Sequence, residues 1–168
     1  MNGYAQTVLG LVNAKDLGIT MMHEHLLTEL RDLFDEPEEP EERILAHAPI
    51  TIETLTRVHM NWAGSLDNLV LSDPDLAIQE VTLFKKAGGK TIVDVTNIGL
   101  GRNPKSLHYI AERTGLNIIM GASYYHASFH PPDMDDKDED KICQEIVTDI
   151  TEGVDNTEIR AGIIGEIG

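Results

Sequence analysis

Residues Ser72 to Thr96 read SDPDLAIQEVTLFKKAGGKTIVDVT, and this stretch decides the fold class. Ser72-Asp73-Pro74 places a capping side chain ahead of a proline in the first turn, which is the start signal of a helix. Leu76, Ala77, Val81, Phe84 and Ala87 then fall on one side at helical spacing, and Gly88-Gly89 stops the run. Lys90 to Thr96 follows as a short, β-branched, nearly continuous apolar strand, the pattern of a strand buried on both faces. A helix feeding such a strand predicts a parallel sheet.

Downstream the alternation repeats. Asn103-Pro104 opens a second helix, with Leu107, Ile110 and Ala111 as its apolar side and Gly115 as its stop. Asn117 to Ala122 reads as the next strand. A long loop follows, carrying Tyr124, Tyr125, His126, Phe129 and His130. Ile142, Ile146 and Ile150 mark a third helix ended by Gly153, and Ala161 to Ile167 reads as a fourth strand. Upstream, Leu17 to Leu26 reads as a strand, and Thr51 to Val70 reads as helical with a break at Gly64. This order implies right-handed crossovers between parallel strands. It leaves open whether the sheet is doubly wound or part of a barrel.

The chain has 168 residues, enough for one domain with a real core but short of the roughly 250 of a (β/α)8 barrel. With 41% hydrophobic and 25% charged residues, general disorder is excluded. Acidic residues number 29 and basic ones 13, so the formal charge of −16 repels phosphate backbones and anionic membrane surfaces. Neither nucleic acid nor a membrane is an expected partner. No apolar run approaches the ~18 residues of a membrane span, and the start lacks a signal-peptide pattern. The single cysteine, Cys143, allows no internal disulfide and fits a reducing, cytoplasmic setting. Beside Ile142 on an amphipathic helix, it reads as packing. Two acidic runs, Asp35 to Glu42 and Asp133 to Asp140, read as solvated loops or helix starts. The second fails as a calcium loop, because Asp138 and Gln144 stand where glycine and glutamate are needed.

His23-Glu24-His25 is the sharpest chemical feature. On a strand, residues i and i+2 share a face, so both imidazoles aim at one point, as a divalent transition metal requires. They lie at the carboxyl end of their strand, where α/β folds place their sites. Glu166 stands in the apolar run AGIIGEIG, flanked by Gly165 and Gly168, and a carboxylate there needs a partner or a metal. Asp94, inside TIVDVT, reads as a structural acid or one that orients a ligand. Gly99 and Gly101 give a weak dinucleotide-loop signal, since Pro104 occupies the third glycine position. The Tyr124 to His130 loop reads equally as a substrate wall or as a loop packed on its own aromatics.

Together TMMHEHLL, TIVDVT, GASYYHASFHP and GVDNTEIRAGIIGEIG resemble the phosphotriesterase family of the amidohydrolase superfamily, most closely its phosphotriesterase-homology branch. Nearly the whole chain is covered, in order. The resemblance implies an α/β fold that is the N-terminal half of a (β/α)8 TIM barrel, about four parallel strands, truncated after strand four, so that residues 1–168 are a partial domain. It also implies a hydrolase with two divalent metal ions, most often zinc, acting on a small-molecule substrate. His23 and His25 would bind the more buried metal, and Glu166 would bridge the two where many relatives use a carboxylated lysine. Tyr125 matches a pocket-wall aromatic that binds substrate. The family's other ligands are two histidines and the aspartate that takes the proton from water. They follow later strands, so no catalytic residue is expected within this chain. Two other readings stay open. One is a non-catalytic half barrel that binds a partner or closes its sheet as a homodimer; the other is a nucleotide-binding domain resting on Gly99 and Gly101.

Overall fold

A computed structural model of the chain describes residues 3–167, and Gly168, named above as a flank of Glu166, lies outside them. The chain divides into two compact units, residues 28–72 and the remainder.

The larger unit begins with an antiparallel hairpin that the sequence reading does not assign, β1 (Tyr4–Thr7) with β2 (Gly10–Asn13). Its turn is closed by the Thr7 hydroxyl, which donates to the Gly10 carbonyl at 2.8 Å. Strand β3 (Ile19–Glu24) follows and pairs in parallel with a later strand of the same unit.

The smaller unit, Thr28 to Ser72, holds β4 (Thr28–Glu29), α1 (Pro40–Ala46), α2 (Leu55–Met60) and β5 (Val70–Leu71), with β4 and β5 antiparallel. The helix expected over Thr51 to Val70 is therefore only six residues long. Asn61 leaves helical backbone at φ −144°, and Trp62–Gly64 and Leu66–Leu69 form separate 3-10 turns. Gly64, Ser65, Asp67 and Asn68 favour turns over helix, so the break is wider than one glycine.

The larger unit resumes with α3 (Pro74–Lys86) and β6 (Gly89–Asp94), as read from the sequence. The Asp73 carboxylate accepts from the Asp75 and Leu76 amides, which caps α3. Ala77 and Val81 are buried on α3, whereas Leu76 is half exposed rather than part of the stripe. Helix α4 (Pro104–Thr114) is capped by Asn103 and stops at Gly115, whose φ of +67° a side chain would resist. Strand β7 (Asn117–Met120) and helix α5 (Glu139–Thr151) complete the element order. The sheet order is β3-β6-β7, all parallel.

Both faces of this sheet are covered. Ile92, Ile118 and Met120 pack with Val81, Leu107, Ile110 and Ala111 of the helices. On the opposite face Val93, Val95 and Ile119 pack with Ala5 and Leu17. This is why β6 reads as continuously apolar.

Two further expectations are corrected. Ala161 to Ile167 forms no full strand: it joins the β7 side through one parallel bridge, Gly121 to Ile163. The Gly162 amide donates to Met120 and the Ala122 amide to Ile163, both at 2.9 Å. Gly165 then turns out of extended backbone at φ +97°, which stops the ladder. Cys143 is exposed rather than packed. It lies one residue, about 100°, round the helix from the Ile142, Ile146, Ile150 stripe.

Candidate metal centre

Sequence separates His25 and Glu166 by 141 positions, yet the fold brings their side chains together. His23 is the next-to-last residue of β3, and His25 lies just past its end. Between Met21 and Glu24 the pairing with β6 is irregular, a local bulge of the kind that re-aims side chains near sites. The two imidazoles stand edge to face with centroids 5.7 Å apart.

Glu166 Oε2 lies 3.4 Å from His25 Nε2 and 3.6 Å from His23 Nε2. One donor atom from each of the three residues falls within 4.8 Å of the others. Bonds of about 2.1 Å at tetrahedral angles place neighbouring donors about 3.4 Å apart, so the spacing fits one divalent ion. Two imidazoles and a carboxylate are also the donor types that zinc and similar ions take. His23 is 60% exposed while His25 and Glu166 are largely covered, so the cluster opens on the His23 side.

The surroundings hold these groups from behind. His25 Nδ1 lies 2.9 Å from the Thr96 hydroxyl, which donates to the Leu27 carbonyl at 3.2 Å. Asp94 is fully buried, and its carboxylate accepts from the Leu26 amide at 2.8 Å and the Thr96 amide at 3.0 Å. Burial pushes this carboxyl above its ordinary range, with the Leu26 amide and the hydroxyl and amide of Thr96 working against the shift. Asp94 thus ties the end of β3 to the end of β6 and stays out of the cluster, as its sequence context suggests. Asn97, also fully buried, donates from Nδ2 to the Glu166 carbonyl and anchors that segment. Thr96 and Asn97 escape the sequence reading. Their signal is position alone, directly after the carboxyl end of β6, where the rule that singled out His23 and His25 applies equally.

Tyr125 does not join the cluster through any described hydrogen bond or ring contact. Its ring rests on His126 and Phe129, at 4.5 and 5.4 Å, and its carbonyl lies 2.8 Å from His130 Nε2. Gly99, at φ +96°, lies against this loop, and a Cβ there would overlap the Phe129 carbonyl oxygen. Close packing therefore accounts for this glycine without a phosphate ligand. A cavity of about 430 Å³ lined by Gln6, Val8, Lys105, His108 and Arg160 contains none of the three clustered residues. No helix among the described residues is long and apolar enough to cross a membrane.

Comparison with known proteins adds relatives to this geometry. A profile described as the Phosphotriesterase family matches residues 3–168. An N-acetyltaurine hydrolase of Dictyostelium discoideum is 36% identical over 186 aligned residues, taking in 99% of this chain and 50% of that protein. Among solved structures, a resiniferatoxin-binding protein from Rhodobacter sphaeroides superposes with a TM-score of 0.93 at 43% identity, over 97% of this chain and 46% of its own. An organophosphorus hydrolase from Deinococcus radiodurans gives 0.65 at 27% identity, over 95% and 42% respectively. The chain thus spans about half the length of the relatives it matches.

Proposed function

The chain belongs to the phosphotriesterase family, and from that premise we propose that it is the N-terminal half of a metal-dependent hydrolase barrel. The observation that carries this reading is the convergence of His23, His25 and Glu166. His23 and His25, with Nε2 toward the cluster, and the Glu166 carboxylate are the residues that would hold such ions. Zinc is the favoured metal on donor type. Ions held there would supply Lewis acidity and a bound water acidic enough to be hydroxide near neutral pH. The chain's own contribution is positional: the end of β3 and the Gly162–Glu166 segment bring three donors together. The aromatic and imidazole loop carrying Tyr125 forms one wall for a small-molecule substrate. The remaining ligands and the proton-accepting aspartate belong to later strands.

Carboxylic amides lead the substrate classes, since curated relatives at 36–37% identity are named N-acetyltaurine hydrolases. Lactones and organophosphates follow, from more distant neighbours. The test is an assay of the 168-residue chain and of the longest polypeptide of its reading frame against an N-acyl amide, a lactone and a phosphotriester. Turnover by the longer protein that a chelator abolishes, with none from the 168 residues, supports the proposal. Metal-dependent turnover by the 168 residues alone contradicts it.

A second reading has its own observation. Strand β3 is an edge of its sheet, Ile19 and Met22 on it are exposed, and so are Ile164 and Ile167 beyond the last bridge. Uncovered edges and apolar groups invite pairing with another chain. A half barrel that acts by binding would be a stable, monodisperse homodimer by light scattering, whereas aggregation favours half of an enzyme.

A further inference from the structure

We propose that Thr96 is a positioning residue that holds His25 in the Nδ1–H tautomer, against the pull of the Glu166 carboxylate 3.4 Å from Nε2, so that the Nε2 lone pair stays available to an ion. This rests on the metal reading of the site only for its purpose; the relay itself is a statement about hydrogen bonds within the chain.

A hydroxyl has one proton to give. The Thr96 hydroxyl has two acceptors besides His25, the Leu27 carbonyl at 3.2 Å and the buried Asp94 carboxylate, and both draw its one proton away, so toward His25 the same oxygen accepts. His25 Nδ1, 2.9 Å away, must then be the donor. The relay runs from imidazole to hydroxyl and on to the Leu27 carbonyl and the Asp94 carboxylate, and reversing it takes the proton from both. Thr96 is 1% exposed, so water does not replace it. Asp94 locks both ends, because one carboxylate takes the amide of Thr96 and the amide of Leu26, the residue after His25. His23 has no comparable partner behind its ring among the described hydrogen bonds, and its exposed side chain is free to take the tautomer preferred in water, with the proton on Nε2. The two histidines therefore differ. His25 is prepared to bind before any ion arrives, and His23 must reorganise.

The test uses the metal-free chain at about pH 8. Long-range proton–nitrogen NMR reads the tautomer of each ring. The expected result is Nδ1–H at His25 and mostly Nε2–H at His23. Thr96→Val removes these hydrogen bonds with little change of shape and should return His25 toward the His23 pattern. Thr96→Ser keeps the hydroxyl and should keep the tautomer. In zinc titrations Thr96→Val should lose about 10- to 100-fold in affinity while Thr96→Ser stays near wild type. Nε2–H at His25 in the wild type, or an unchanged tautomer in Thr96→Val, overturns the proposal. Should Thr96→Val not fold, the wild-type and Thr96→Ser spectra decide it alone. A wild-type chain that shows Nδ1–H at His25 but takes up no zinc upholds the relay and contradicts the metal reading.

Discussion

Gly165 sits at φ +97°, in the left-handed region, one residue before the carboxylate that faces His23 and His25. The turn there takes Glu166 off the line of hydrogen bonds made by Gly162 and Ile163 and toward the end of β3. An alanine in that backbone conformation costs about 1–2 kcal/mol. Gly165→Ala should therefore lower stability by that amount in chemical denaturation, and it should weaken metal uptake by misplacing Glu166. Unchanged metal uptake would mean that Glu166 is not held by this turn. At the same scale, exposed Cys143 should react with a thiol reagent in the native state at the rate of an unhindered thiol; labelling only on unfolding would contradict the placement on the solvent side of α5.

The loop between β7 and α5 is held by a small charged latch. The buried Tyr124 hydroxyl donates to Glu145 on α5 and accepts from Lys137 Nζ at 2.8 Å, while Lys137 also reaches Glu145 at 3.0 Å. Lys137 is only 7% exposed, so its charge depends on these partners. Burial pushes the Glu145 carboxyl up, but hydrogen bonds from Tyr124 and Lys137 outweigh it and the group lies below its ordinary 4.5. A carboxyl depressed in the folded state contributes stability that is present above about 4.5 and is lost as pH falls through the folded value. Lys137→Met should thus cost about 2 kcal/mol at neutral pH and less in acid. Denaturation at several pH values checks this; an equal loss at every pH would contradict it. None of this latch was legible in the sequence, because Tyr124, Lys137 and Glu145 share no motif or period. The helices α3 and α4 and the strands β6 and β7 were legible, since capping residues, glycine stops and apolar runs are local signals. The 3-10 turns after α2 were not, because their composition is that of loop; the hairpin at the start went unassigned although Tyr4, Ala5, Val8, Leu11 and Val12 around Gly10 carry a hairpin signal. The last apolar run misled for a related reason: Ile163, Ile164 and Ile167 promise a strand, while Gly165 between them breaks it.

For the molecule as a whole, the His23–His25 pair and the Glu166 carboxylate were each visible in the sequence, and their meeting was not derivable from spacing. It takes the parallel sheet, β3 beside β6 beside β7, with the Gly121–Ile163 bridge bringing the last segment into place. The relatives place this arrangement in about half of a longer chain. If the chain is half of a metal-dependent barrel, as proposed, the 168 residues should bind metal weakly, because only three clustered donors are present among the described residues. The measurement that tests it most directly is a cobalt(II) titration of the chain followed by visible absorption, on wild type and on His25→Ala, Glu166→Gln and His126→Ala. A saturable band in wild type and His126→Ala that is lost in His25→Ala and Glu166→Gln is the predicted result. No band in wild type, or a band indifferent to His25 and Glu166, would contradict the account.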